Sequence, residues 1–188
     1  PAVHPHILAL PWGGMSNASG LEAFREQGGA FRKPMSAGEL VRDADALWRE
    51  FTTSWWPTLQ AAEPNPAHRA LAAFEAALRP DQTFTVITQN VDGLHQKAGS
   101  RDVIEVHGTM AQFRCHDCHE DIDIPTIDFG ASTPPRHACG GLVRPDVVLF
   151  GEMLPEGAMQ RALKTAHRAD LVLVIGTSGA VFPVNTLP

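Results

Sequence analysis

Three short, nearly continuous apolar runs dominate this chain: HILAL at His6–Leu10, FTVIT at Phe84–Thr88 and LVLVI at Leu171–Ile175. Runs of this length without polar alternation read as strands buried on both faces, the pattern of a parallel sheet covered by helices. Helical stretches lie between them. Met35–Phe51 carries helical periodicity through Leu40, Val41, Leu47, Trp48 and Phe51, and Pro66–Arg79 starts on proline and stops before Pro80. Glu156–Arg168 reads as a third helix. A short strand is expected at Val103–Val106, ending on His107 and Gly108, and a strand or extended segment at Val147–Phe150. Strands alternating with helices predict an α/β fold, a Rossmann-like parallel sheet with helices on both faces. The polar residues cluster after Leu10, Thr88, Val106 and Ile175, which would all be strand carboxyl ends, the edge where open α/β sheets bind ligands.

The segment from Cys115 to Cys139 breaks this pattern. It is polar, contains prolines and holds all three cysteines of the chain. An odd count with a close C-x-x-C pair, Cys115 and Cys118, favours a metal over a disulfide framework and a reducing, cytoplasmic setting over secretion. Tetrahedral zinc requires four ligands. Cys115, Cys118 and Cys139 supply three; His137 is the natural fourth, while His116 and His119 flank a ligand inside its own knuckle. A metal-free loop is the plainer alternative.

Other features are ambiguous taken singly. The loop Pro11–Gly20 (PWGGMSNASG) is glycine-rich and follows a strand, which suits phosphate binding but also an ordinary turn. Gln89, Asn90 and Asp92 sit where they would meet a ribose or a carboxamide, yet Asn-Val-Asp-Gly is equally an Asx-type turn. His107 suits general-base work by its near-neutral pKa, but it is one of nine histidines. The net charge of −6 gives no sign of direct nucleic-acid binding, and no apolar run approaches a membrane span.

Together these segments resemble the sirtuin family of NAD-dependent protein deacylases. TQNVDGLHQKAGS at 88–100 resembles the family's T-Q-N-(I/V)-D-x-L-H-x-x-A-G stretch, and VIEVHGTM at 103–110 resembles the strand that carries its catalytic histidine. CGGLVRPDVVLFGEMLP at 139–155 resembles C-G-G-x-x-R-P-x-V-V-x-F-G-E, and VIGTSGAVFPVNTLP at 174–188 resembles the G-T-S-x-x-V-x-P strand end. The resemblance implies a cofactor loop at Gly13, Gly14, Ser16, Ser19, Gly20, Phe24 and Arg25. It puts nicotinamide and ribose at Gln89, Asn90 and Asp92, and a second phosphate and ribose contact at Gly176, Thr177 and Ser178. His107 becomes the general base, with Asn90 as a further catalytic residue. Val148, Phe150, Gly151 and Glu152 become the segment that pairs with the substrate peptide, and Cys115, Cys118 and Cys139 become zinc ligands. The implied reaction takes NAD and an acyl-lysine protein or peptide to free lysine, nicotinamide and O-acyl-ADP-ribose.

The implied domain plan is a Rossmann-like part at 1–114 with a helical insertion at about 35–80, a zinc-binding module at 115–143, and a return to the Rossmann-like part at 144–188. The start at Pro1 and the stop at Pro188 lead to the expectation of a fragment whose sheet lacks its C-terminal part and whose adenosine site is incomplete. Departures from the family pattern are Trp12 at the first glycine of G-A-G-x-S, Glu22 at a proline, and Arg136 at a cysteine. A ring at Trp12 would be expected to restrict the loop. Phe51 and Ser54 align where sirtuins that remove acidic acyl groups carry tyrosine and arginine, so a neutral acyl group is expected. Competing readings are a mono-ADP-ribosyltransferase, a non-catalytic NAD or ADP-ribose sensor, and a zinc-only interaction module.

Overall fold

A computed structural model describes residues 5–21 and 36–176. Its larger sheet is built from β1 (His6–Pro11), β2 (Thr83–Thr88), β3 (Val103–Glu105) and β7 (Leu171–Ile175), in the order β3-β2-β1-β7. All three pairings are parallel, with Ile7 opposite both Phe84 and Leu171, and Ile87 opposite Ile104. Alternate residues of β1 point to opposite faces. Leu8 and Leu10 join Ile87 and Ile104 beneath α6 (Glu156–Arg168), whose Ala162 is fully buried. Ile7 and Ala9 join Phe84 and Val86 beneath Leu71 of α4 (Pro66–Ala76). The apolar runs are continuous because helices cover both faces. Among the described residues β7 is an edge strand, paired only with β1.

A smaller antiparallel sheet holds β4 (Gly108–Cys115), β5 (Asp121–Ile122) and β6 (Val143–Val147) in the order β5-β4-β6. It carries the cysteine-bearing segment at one end. An aromatic cluster of Trp48, Phe51, Trp56, Phe113 and Phe129 joins it to the helical segment. Of Val147–Phe150, expected as a strand or extended segment, only Val147 lies in a strand, β6 (Val143–Val147), and Phe150 makes an isolated bridge to Ser36.

The periodic stretch Met35–Phe51 is not one helix. Asp43, at φ −147° and ψ 58°, separates α1 (Ala37–Arg42) from α2 (Ala44–Glu50), and its carboxylate accepts from Ala46 N to cap the second. A π-helical turn at Phe51–Trp55 then leads into α3 (Trp56–Ala61). The helix α4 opens on Pro66, as a missing N–H costs nothing there. The short helix α5 (Leu94–Ala98) follows the turn after β2. No helix among the described residues is long and apolar enough to cross a membrane.

Candidate functional site

The carboxyl ends of the four parallel strands bring the predicted polar clusters to one edge. The 3-10 turn Gly13–Ser19 follows β1, Gln89–Gly93 follows β2, His107 follows β3 by two residues, and Gly176 follows β7. The first and last of these touch: Gly14 N donates to Gly176 O at 3.1 Å. A Cβ on Gly14 would stand 3.0 Å from that same oxygen, so the close approach depends on the missing side chain. Phe24, Arg25, Thr177 and Ser178 lie outside the described residues.

A hydrogen-bonded chain links the loop after β1 to the turn after β2. Asn90 Nδ2 donates to Ser16 Oγ at 2.9 Å, and the Ser16 hydroxyl donates to Asp92 Oδ2 at 2.6 Å. Ser16 is only 2% exposed. Asp92 Oδ1 accepts from Leu94 N at 2.9 Å, and Asn90 N donates to Thr88 Oγ1 at 3.0 Å. The turn therefore does what an Asx-type turn does and also holds the loop opposite. Among the described residues Gln89 Nε2 is buried without an acceptor, an orphan donor in the turn after β2.

Trp12 does not distort the loop. Its backbone is extended, at φ −132° and ψ −172°, and its ring is buried among Leu8, Leu10, Ile87 and Val106. Glycine's freedom is not needed there, and the ring has become part of the core.

His107 Nδ1 lies 3.2 Å from the main-chain oxygen of Gln89. A carbonyl only accepts, so Nδ1 carries the hydrogen and Nε2 keeps its lone pair. Burial lowers the pKa of His107, against the opposing effect of the Gln89 carbonyl. The next residue, Gly108, has φ +74°, and any side chain on it would strike Asp146 O. The His107 carbonyl accepts from Val148 N at 2.9 Å, tying the candidate base to the candidate peptide-binding segment.

That segment is fixed from below by an ion pair not anticipated from sequence. Arg144, 3% exposed, donates through Nη2 to Glu152 Oε2 at 2.8 Å and to Val147 O at 3.2 Å. The same carboxylate oxygen accepts from Leu149 N. These bonds hold the Glu152 pKa low although burial pulls it upward. Phe150 and Gly151 are exposed and Val148 is partly buried, so Glu152 supports the segment while its neighbours present a surface. Glu105 also escaped the sequence reading; burial raises its pKa despite hydrogen bonds from Gln96 and Thr109.

Cys115, Cys118, His137 and Cys139 come together, with one ligand atom from each lying within 4.8 Å of all the others. Cys115 Sγ is 3.5 Å from Cys139 Sγ, and His137 Nδ1 is 3.3 Å from Cys118 Sγ and 3.4 Å from Cys139 Sγ. Tetrahedral zinc with bonds of about 2.0–2.3 Å has edges of roughly 3.5–3.8 Å, close to these three separations, and the donor set suits that ion. Main-chain N–H groups of Cys118 and Asp117 lower the pKa of the Cys115 thiol against burial, while the neighbouring sulfurs of Cys115 and Cys139 raise that of Cys118. His116 and His119 are not in the cluster. Arg136 turns away and donates to Gly140 O at 2.7 Å.

A family model described as the Sir2 family matches residues 13–183. The chain is 40% identical over 187 residues to NAD-dependent protein deacetylase 1 of Pyrobaculum aerophilum, covering 96% of this chain and 72% of that protein. It is 41% identical over 193 residues to the NAD-dependent protein deacylase of Thermococcus kodakarensis, covering 96% and 73%. Among solved structures, a Sir2–p53 peptide–NAD+ complex superposes with a TM-score of 0.83 at 32% identity, covering 98% of this chain and 76% of that one.

Proposed function

The chain belongs to the Sir2 family, and from that footing we propose that it is an NAD-dependent protein-lysine deacylase that releases nicotinamide and O-acyl-ADP-ribose. The observation that carries the reading is His107 with its Nδ1 held by Gln89 O, at the edge where the Ser16–Asn90–Asp92 chain lies.

NAD supplies an electrophilic ribose carbon with nicotinamide as its leaving group. Gln89, Asn90 and Asp92 would take the nicotinamide and ribose; the Gln89 amide nitrogen, without an acceptor among the described residues, fits a polar ligand. Gly13, Gly14, Ser16, Ser19 and Gly20 would receive phosphate and ribose, joined by Gly176 across the 3.1 Å loop contact. Asn90, its amide held by Ser16, would meet the ribose. His107 takes a proton from a ribose hydroxyl through Nε2, and its lowered pKa keeps that nitrogen free at neutral pH. Val148, Phe150 and Gly151 would pair with the peptide main chain, with Glu152 bracing them through Arg144.

The acyl group is read as neutral. Phe51 is 2% exposed within the aromatic cluster and Ser54 carries no charge, so neither aligned position pairs an acidic tail. Zinc is read as structural, since a closed four-ligand site leaves no open position. An intracellular, cytoplasmic setting suits three unpaired cysteines gathered as ligands. We read residues 1–114 and 144–188 as the Rossmann-like part and 115–143 as the zinc module, whose sheet reaches back to Gly108 and on to Val147.

The test is nicotinamide release from NAD with and without an acetyl-lysine peptide. Release that requires the acyl peptide supports deacylation. Release without it points to ADP-ribosyl transfer, and binding without release to a sensor; either would overturn the reading.

A further inference from the structure

Asn65, the N-terminal cap of α4, is 95% buried because only 5% of its surface is exposed, yet it lies in none of the motifs discussed above. Its side chain divides into two arms. Oδ1 accepts from Ala67 N at 2.9 Å and His68 N at 3.4 Å, capping the helix. Nδ2 points elsewhere and donates to Met15 O at 2.7 Å and Ser19 Oγ at 3.0 Å. Both of those acceptors belong to the 3-10 turn that also carries Ser16.

Three residues on, His68 continues the connection. Its Nδ1 accepts from Asn65 N at 3.3 Å, and its ring meets His95 edge-on with centroids 4.8 Å apart. His95 lies on α5, directly after the turn Gln89–Gly93. The first turn of α4 thus touches both halves of the cofactor edge: the loop after β1 through Asn65, and the helix following the β2 turn through His68.

We propose that Asn65 is a positioning residue for NAD, holding the turn Gly13–Ser19 in its binding-competent shape through the two donors of its amide. The turn is also tethered by Gly14 N to Gly176 O and by the Ser16 chain to Asn90 and Asp92. Without Asn65 the main-chain oxygen of Met15, a residue 5% exposed, loses its donor in a buried place. The turn must then shift to recover a partner, and Ser16 and Gly14 shift with it.

The proposal rests on reading this turn as part of the NAD site. Asn65→Asp separates the two arms, because aspartate keeps the capping oxygen and removes the donors. The expected result is a lowered thermal midpoint, since an acceptor now faces the buried Met15 oxygen, together with KM for NAD raised roughly tenfold or more and kcat within about threefold. Asn65→Ser, which keeps a cap and is too short to reach Met15, should give the same split. Ser19→Ala, which removes one acceptor, should give a smaller rise. A folded Asn65→Asp or Asn65→Ser protein with unchanged KM for NAD overturns the proposal. So does a loss confined to the thermal midpoint, which would make Asn65 a helix cap and nothing more. A parent protein with no NAD-dependent activity would instead sink the deacylase reading. In that case calorimetric NAD binding by the parent and by Asn65→Asp still decides the positioning role, equal affinities overturning it.

Discussion

The imidazole Nδ1 of His107 lies 3.2 Å from the main-chain oxygen of Gln89. One contact thereby selects the tautomer of the base and ties it to the residue opening the neighbouring polar turn. Replacing His107 with alanine should lower deacylation by roughly a hundred- to ten-thousandfold. Secondary structure and thermal midpoint should be retained, because the ring is only partly buried. Steady-state turnover on an acetyl-lysine peptide checks this; a folded His107→Ala protein with parental turnover would refute it.

The same ring sets the direction of the pH dependence. His107 must be neutral to accept a proton, and burial has moved its pKa below the ordinary 6.5. Activity governed by this base is therefore fully present at neutral pH and is lost only as pH falls through the lowered value. The acid limb of kcat/KM should lie below pH 6.5. A limb centred above that value would argue that His107 is not the titrating base.

Zinc should be present at about one ion per chain and should be lost with His137. The histidine reaches the cluster through Nδ1, 3.3 Å from Cys118 Sγ, so His137→Ala removes a ligand outright while His137→Cys offers another. Metal analysis after dialysis against a mild chelator should find zinc in the parent and in His137→Cys, and little in His137→Ala, which should also melt earlier. Full zinc retention by His137→Ala would show that the fourth ligand lies elsewhere.

The parallel sheet was legible because burial on both faces leaves unbroken apolar runs, as in Ile7–Leu10, and α6 was legible from its end points. The break at Asp43 was not, since periodicity persists across it and only the aspartate's capping bond reveals two helices. The strand Gly108–Cys115 was also missed. Its pairing with β6 shifts register between Thr109 and Phe113, so its apolar residues do not alternate. Within the site, residues that would touch ligand sit at strand ends and could be read locally. Asn65 and Arg144 act on partners distant in the chain, and no local pattern marks them.

Tightly packed histidines make a last prediction, about acid stability. His95 is 1% exposed, its ring nitrogens have no hydrogen-bond partner among the described residues, and His68 lies against it. Burial, with the nearby His68, lowers its pKa from 6.5 to about 4. Burial lowers that of His68 as well, against the attraction of Asp92 and with a push from Arg69. Both are therefore neutral in the folded state where an unfolded chain has begun to protonate. A pKa depressed on folding means that the unfolded state binds more protons, so stability falls as pH drops below 6.5 and goes on falling towards about 4. For His95 the whole effect is about 3 kcal/mol, from roughly 1.4 kcal/mol per unit. Urea unfolding at pH 7 and near pH 4.5 should show a marked loss in the parent. Carboxylates also contribute to acid unfolding, so the comparison that isolates the ring is with His95→Gln. That variant should be less stable than the parent at pH 7, where it gives up ring packing, but should lose less between the two pH values. Equal losses in the two proteins would mean that His95 does not titrate on unfolding as its burial requires.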